Sequence, residues 1–338
     1  MYVLSNLRDF KPERARALFL GLGNFDGVHV GHQALFARVL SEARAKHGHA
    51  ALFTFQGHPQ SVLHPDQKTQ LLVSDEQKLF LFSRAGFDFC LRLAFTESFS
   101  KLAPEAFVTE VLCRQLGVRE ICMGYNARFG HKRKGDAPLM AHFGRQWGFD
   151  FSAIAPVRVG GEIVSSSRIR RLVAEGQLAQ ARECLGRPFS LWGEVIRGDG
   201  RGRELGFPTA NLKLESHILP PAGVYPAWAR RIEKQQKTAG DFWKKIEFKT
   251  GPWQRAVVNI GTRPTFGVSG PLTVESHLID FKGVAIYGQT LEIVLGAVLR
   301  GERAFRGPQA LKTQIQKDIR QASRVLPELK KSFTRPYL

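Results

Sequence analysis

Cysteine is scarce in this 338-residue chain. Cys90, Cys113, Cys122 and Cys184 are the only four, with no C-x-x-C pair and no metal-ligand spacing among them. That excludes a disulfide framework and a cysteine zinc site. Three of them fall in apolar strand or helix patterns, so buried free thiols in a reducing, cytoplasmic setting are expected. Long apolar runs are missing as well. No positively charged start leads into a clean apolar segment, and no uncharged stretch is long enough to cross a bilayer, so no membrane partner is expected. There is no zinc finger, RNP sequence, basic zipper, Walker A loop, internal repeat or low-complexity tract.

Acidic residues are also short, 30 against 49 Lys and Arg, which leaves a formal charge of +19. Such a balance admits a nucleic-acid partner. The basic residues, however, gather beside glycine and serine loops: Arg128 with Lys132 to Lys134, Arg168 to Arg171, and Arg197 to Arg203. That grouping suits several bound polyphosphates as well as one duplex. The expectation is therefore no specific nucleic acid, with a basic nucleic-acid-binding protein on an enzyme-derived fold as an alternative. The length allows two domains with ordinary cores, and a hydrophobic content of 43% agrees. Whether the chain forms a homo-oligomer is left open.

What is present begins with Gly21-Leu-Gly-Asn-Phe-Asp-Gly-Val-His-Val-Gly-His32. A strand signal precedes it (17–22), and apolar spacing after it (Leu35, Val39, Leu40, Ala43) makes a strand–turn–helix. The glycines let the backbone turn tightly and approach a ligand. A helix N-terminus offers free N–H groups and partial positive charge, a seat for an anion. His29 and His32 beside that seat can donate to a phosphate whose charge grows during reaction. Gly23, Asn24, Phe25, Asp26 and Gly31 form the rest of the candidate nucleotide site. A dinucleotide fold is disfavoured, because the glycine spacing is one residue too long and the next strand, 50–55, ends in Thr-Phe-Gln without an acid.

From there strands and helices alternate. Strands are expected at 50–55, 87–93, 118–123 and 149–155. Helices are expected from Ser74, where Ser-Asp-Glu-Gln reads as a capping box, from Pro104, and over 138–147. The pattern predicts a parallel sheet with helices on both faces and ligands at the strands' carboxyl ends. A second helix start, Ser165-Ser166-Ser167-Arg168-Ile169-Arg170, has more hydroxyls than a cap needs. With two arginines it makes an anion clamp, which adds Ser166, Ser167 and Arg170.

Past Gly186 the pattern changes to short strands (191–197, 223–230, 256–260, 272–280 and 289–298) and one long helix over 308–325. This predicts a small antiparallel barrel with a terminal helix. The stretch 231–255 reads as a long hairpin loop or insertion. Gly198 to Asn211 is glycine-rich and basic, a flap over phosphates holding Gly198, Arg203 and Gly206. Thr209 and Asn211 offer hard oxygen ligands suited to Mg2+. Glu275 lies in an alternating strand and on its own reads as solvated.

These motifs together resemble one family. Asn-Phe-Asp-Gly-Val-His-Val-Gly-His with Ser-Ser-Ser-Arg-Ile-Arg is similar to the H-x-G-H nucleotidyltransferases. Thr-Phe-x-x-His-Pro at 54–59 and Gly124-Tyr-Asn-Ala-Arg-Phe-Gly130 are closer to the bacterial bifunctional riboflavin kinase/FMN adenylyltransferases. Many members have an aromatic where this chain has Ala127, beside Asn126. In the second half, Gly-Phe-Pro-Thr-Ala-Asn, Gly223-Val-Tyr, Val258-Asn-Ile-Gly-Thr-Arg-Pro-Thr-Phe, Val274-Glu-Ser-His and Tyr287-Gly resemble the riboflavin kinase domain.

The resemblance implies an α/β, Rossmann-like nucleotidyltransferase domain over 1–185 and an all-β, riboflavin kinase-like barrel over 186–338. It implies ATP, riboflavin, FMN and FAD as substrates or products, with Mg2+ and ATP on Thr209 and Asn211, Glu275 as catalytic base, and Asn126 in a nucleotide contact. Another H-x-G-H nucleotidyltransferase is the remaining alternative.

Overall fold

A computed structural model describes the chain except residues 13–16, 58, 60–65, 67–68, 199–200, 216, 240–242, 266–267, 282, 284, 332 and 334–338; the side chains of 201, 203, 238–239 and 263–271 are also left out. The chain divides into two compact units. One holds Met1–Ser166 and Lys234–Glu247, the other Ser167–Glu233 and the described residues from Phe248 to Phe333.

The first unit is built on β1 (Tyr2–Leu4), β2 (Leu18–Leu22), β3 (His49–Gln56), β4 (Phe89–Ala94), β5 (Val118–Gly124) and β6 (Asp150–Ile154). All pair parallel in the order β1-β4-β3-β2-β5-β6. Both faces are covered, so successive residues of a central strand are all apolar. Leu18, Leu20 and Leu22 of β2 point into a core with α3 (Phe107–Gln115) and α4 (Ala137–Trp147). Gly21 faces α1 (Val30–Ala45). A Cβ there would lie 2.8 Å from Leu35 and Leu52, so this glycine brings the helix onto the sheet. The sequence placed Gly21 in the ligand-approaching turn; it belongs to the strand interior.

The expected helix start holds at α2 (Asp75–Ala85) as an N-cap: Ser74 Oγ accepts the Gln77 amide at 3.1 Å. Phe82 of α2 packs edge-on against Phe25 and Phe36. Residues 234–247 also belong here. The start of β10 (Trp243–Thr250) pairs antiparallel with β1, Lys245 facing Tyr2, and Trp243 packs on Tyr2 and Phe89.

In the second unit, α5 (Ser166–Ala174) and α6 (Leu178–Leu185) precede a barrel. Its strands are β7 (Ser190–Ile196), β8 (Ala210–Lys213), β9 (Gly223–Ala239), β11 (Gln254–Thr265), β12 (Val268–Leu278) and β13 (Thr290–Leu295). They close antiparallel in the ring β7-β8-β12-β11-β9-β13. Closure removes the unpaired edges. Ala227, Val258, Ile260, Val274 and Ile293 fill the inside and are buried. The 231–255 stretch proves to be mostly strand, the second half of β9 and all of β10. Strand β8 escaped the sequence reading because Pro208 just before it and Asn211 within it are turn formers.

Terminal helix α7 (Pro308–Lys331) seats Ala322 and Leu326 against Val224, Trp228 and Val257. Trp228 Nε1 donates to the Leu326 carbonyl at 2.9 Å. Arg300 grips buried Asp318 of α7 with Nε at 3.1 Å and Nη2 at 2.8 Å.

Two outcomes follow from this packing. Replacing Arg300 by Ala strands a buried carboxylate and should cost about 3 kcal/mol, read as a lowered melting temperature of the barrel unit. Burial pushes the Cys90 and Cys122 thiols up to about 12. Iodoacetamide at about pH 8 should therefore modify half-buried Cys113 first, by peptide mapping, and leave Cys90 and Cys122 intact until the protein unfolds.

Candidate active sites

In the first unit, β2 ends at Leu22 and the chain turns before α1. Phe25, Gly27 and Val28 have φ of +53°, +84° and +43°. The left-handed region suits glycine but is strained for a β-branched valine, at about 1–3 kcal/mol. The surroundings enforce it. Phe25 is buried against Phe36, Phe82 and His32, and Gln33 Nε2 donates to the Val28 carbonyl at 2.9 Å. Thr54 Oγ1 and the buried Lys78 ammonium both reach the Asn24 carbonyl, at 3.3 and 3.5 Å. Phe25 thus contributes through its backbone while its ring belongs to the core.

His29 caps α1. Its Nδ1 accepts the His32 amide at 3.3 Å, so the neutral ring carries its proton on Nε2. The two imidazoles stack with centroids 3.6 Å apart and planes 17° apart, with Gly31 between them in the sequence. Asp26 is buried, its carboxylate accepting the Leu72 amide at 3.1 Å, while Ser166 Oγ donates to the Asp26 carbonyl at 2.9 Å. Ser167 is exposed and Arg170 half-buried in the first turn of α5.

Gly23 and Asn24 also line a cavity of about 320 Å³ whose walls are the rings of Phe55, Phe95, Phe99, Phe107 and Phe129. Most of these rings meet edge to face. Arg128 and Arg133 are the cations on the lining. Asn24 Oδ1 is buried with no partner among the described residues. Ala127 forms part of the wall, and Asn126 next to it is exposed. Sequence reasoning missed the phenylalanine wall. Its only signal was Phe95 and Phe99 one helical turn apart, downstream of a strand ending in Phe55. His58 of the Thr-Phe-x-x-His-Pro segment lies outside the described residues.

The second unit gathers its polar groups by strand register. Asn211 of β8 stands opposite Glu275 of β12, and Glu275 stands opposite Asn259 of β11. Directly opposed residues share a face with Cβ atoms about 5 Å apart, so the three side chains form a row. Asn259 is the member the sequence did not single out. Glu275 is half-buried, with no ion-pair partner among the described residues. A Cβ on Gly198 would come within 2.1 Å of Asn211 Nδ2, so only glycine leaves that amide its place.

The one-turn helix Arg201–Glu204 folds back through Phe207 N donating to the Gly202 carbonyl at 2.7 Å. Gly206 turns the chain at φ +86°. The Arg203 side chain is outside the described set.

Thr209, Asn211, Asn259 and Glu275 line a cavity of about 370 Å³ that Arg300 and Asp318 close from the other side. On the opposite face of the same strands, Thr209 also borders a second cavity of about 250 Å³, with Ser276, Phe281 and Tyr287. Ser276 Oγ is buried there without a partner among the described residues. Hydroxyl, amide and carboxylate oxygens near Thr209, in a cradle kept open by Gly198, fit Mg2+ completed by phosphate oxygens. No cluster of three His, Cys, Asp or Glu side chains that could hold a metal alone occurs among the described residues.

Comparison with known proteins accords with two sites. Residues 11–168 match the FAD synthetase family and residues 185–326 the riboflavin kinase family. The chain is 31% identical to the bifunctional riboflavin kinase/FMN adenylyltransferase of Escherichia coli K12, over 94% of this chain and 96% of that one. To the protein of the same name from Pseudomonas fluorescens it is 33% identical, with the same coverage. Among solved structures it is similar to a Streptococcus pneumoniae protein described as a macrolide-efflux protein, with TM-score 0.76, 26% identity, and 95% and 98% of the two chains covered. No helix among the described residues is long and apolar enough to cross a membrane. With both family domains present in order and relatives matched over nearly their whole length, the chain belongs to the bifunctional riboflavin kinase/FMN adenylyltransferases.

Proposed function

We propose that the domain over 186–338 makes FMN from riboflavin and ATP at the row Asn211–Glu275–Asn259, and that the domain over 1–185 converts FMN and ATP to FAD and pyrophosphate at His29 and His32. The observation that carries the first assignment is Thr209, which borders two cavities on opposite faces of β8 and β12. A phosphoryl donor in one and an acceptor in the other meet at that residue. The larger cavity contains Glu275, the group a neutral hydroxyl nucleophile needs. Glu275 takes the hydroxyl proton as the γ-phosphoryl moves. Thr209 and Asn211 would hold Mg2+, which when bound supplies charge neutralisation between the β- and γ-phosphates.

The first unit needs no such base, because a phosphate nucleophile is already anionic. The neutral His29 ring carries its proton on Nε2, because Nδ1 is engaged by the helix amide. It and His32 stabilise charge on the α-phosphate, and the amides at the start of α1 add their dipoles. Gly23, Asn24 and Gly31 let the nucleotide come close. Ser166 donates to the Asp26 carbonyl and so also holds that turn, and Ser166, Ser167 and Arg170 take the departing pyrophosphate. The phenylalanine cavity offers a flat aromatic ligand edge and face contacts, and Arg128 and Arg133 offer its phosphate a counter-charge. Small-molecule partners and a cytoplasmic location complete the proposal.

Incubation with riboflavin and Mg-ATP, followed by chromatography, should yield FMN and then FAD; formation of neither product would sink the proposal. His29→Ala or His32→Ala should stop at FMN, with the second step slowed about 100-fold or more. Glu275→Ala and Gly198→Ala should block FMN formation yet leave adenylylation of supplied FMN near wild type. Loss of both activities together in either variant would argue against separate sites. Chelation of divalent cations should halt the kinase step, and Mg2+ should restore it.

A further inference from the structure

We infer that His277 is a positioning residue for the kinase site, holding the Pro208–Thr209 turn against the strand that carries Glu275. The inference rests on the kinase reading above and adds a residue that reading does not use. His277 follows Glu275 by two places in β12, so both side chains leave the same face, and both line the larger cavity. His277 Nδ1 lies 2.9 Å from the Pro208 carbonyl oxygen. A carbonyl only accepts, so Nδ1 carries the proton. The Phe207 ring meets the imidazole edge-on, 5.6 Å between centroids.

This bond stands where the ladder stops. The β8–β12 pairing runs Leu212 to Val274, Asn211 to Glu275 and Ala210 to Ser276, and one step further would bring Thr209 opposite His277. Pro208 has no N–H to donate and cannot extend the ladder. Its carbonyl is its only polar handle, and His277 takes it. Because the peptide is planar, fixing that carbonyl also fixes the plane leading into Thr209. On the other side, Phe207 N is tied to Gly202. The turn bearing Thr209 is thereby held at a set distance from Glu275 by a side chain from Glu275's own strand.

The test compares His277→Ala, His277→Asn and His277→Gln by two measurements. An asparagine amide nitrogen can stand where Nδ1 stands, whereas glutamine places its own one carbon further out. In protein free of nucleotide and metal, amide exchange of the 202–211 segment should quicken in the Ala and Gln variants and stay near wild type in Asn. In the FMN-forming reaction, Ala and Gln should lower kcat by roughly ten- to hundredfold and raise the Mg2+ concentration for half-maximal rate. Asn should stay within about threefold of wild type, which an imidazole acting as a base would not permit. Adenylylation of supplied FMN should be unchanged in all three. An Ala variant with wild-type exchange and Mg2+ dependence overturns the inference, as does an Asn variant that rescues neither measurement. A wild-type protein that forms no FMN overturns the kinase reading instead, and the exchange data still report whether His277 anchors the turn.

Discussion

A buried backbone amide or carbonyl must find a partner, and beside each candidate site a histidine supplies one where a sheet ladder ends. In the first unit β2 is paired on both sides as far as Leu22, and the chain then leaves the sheet. The amides that follow belong to a turn and a helix start. One of them, the His32 amide, is claimed by His29 Nδ1. In the second unit the β8–β12 ladder stops at Ala210, two residues after Pro208, which has no amide to donate. There too a histidine takes over, accepting an amide in one case and donating to a carbonyl in the other.

The two sites differ because their nucleophiles differ. Adenylyl transfer starts from a phosphate anion, and the first unit accordingly assembles donors and cations with no free carboxylate in the turn; Asp26 is committed to the Leu72 amide. Phosphorylation starts from a neutral hydroxyl, and in the second unit strand register sets the Glu275 carboxylate between two amide side chains, Asn211 and Asn259. The excess positive charge fits this arrangement in part. Arg128 and Arg133 line the aromatic cavity, while Arg300 is committed to Asp318 and supports α7.

Strain is placed where it is useful. Val28 at φ +43° is a conformation that a free chain would leave at once, and it persists because Phe25 is clamped in a cluster of phenylalanines. The core of the first unit therefore sets the geometry of its site.

Much of this was legible in the sequence. The alternation of strands and helices announced the parallel sheet, Ser74 and Pro104 marked helix starts, and a glycine turn after a strand marked the start of α1, since each signal is local. The sequence could not show that Gly21 serves helix packing, that the Ser166 hydroxyl donates a hydrogen bond to the Asp26 carbonyl, or that Phe55, Phe95, Phe99, Phe107 and Phe129 form one wall. Those facts depend on partners up to 140 positions away. Local pattern determined the fold class, the order of the two domains and the residue types of the chemistry. Only the tertiary structure decided which residues stand together. Glu275 read alone is an ordinary strand glutamate, and it becomes a candidate base only because strand register sets Asn211 and Asn259 on either side of it.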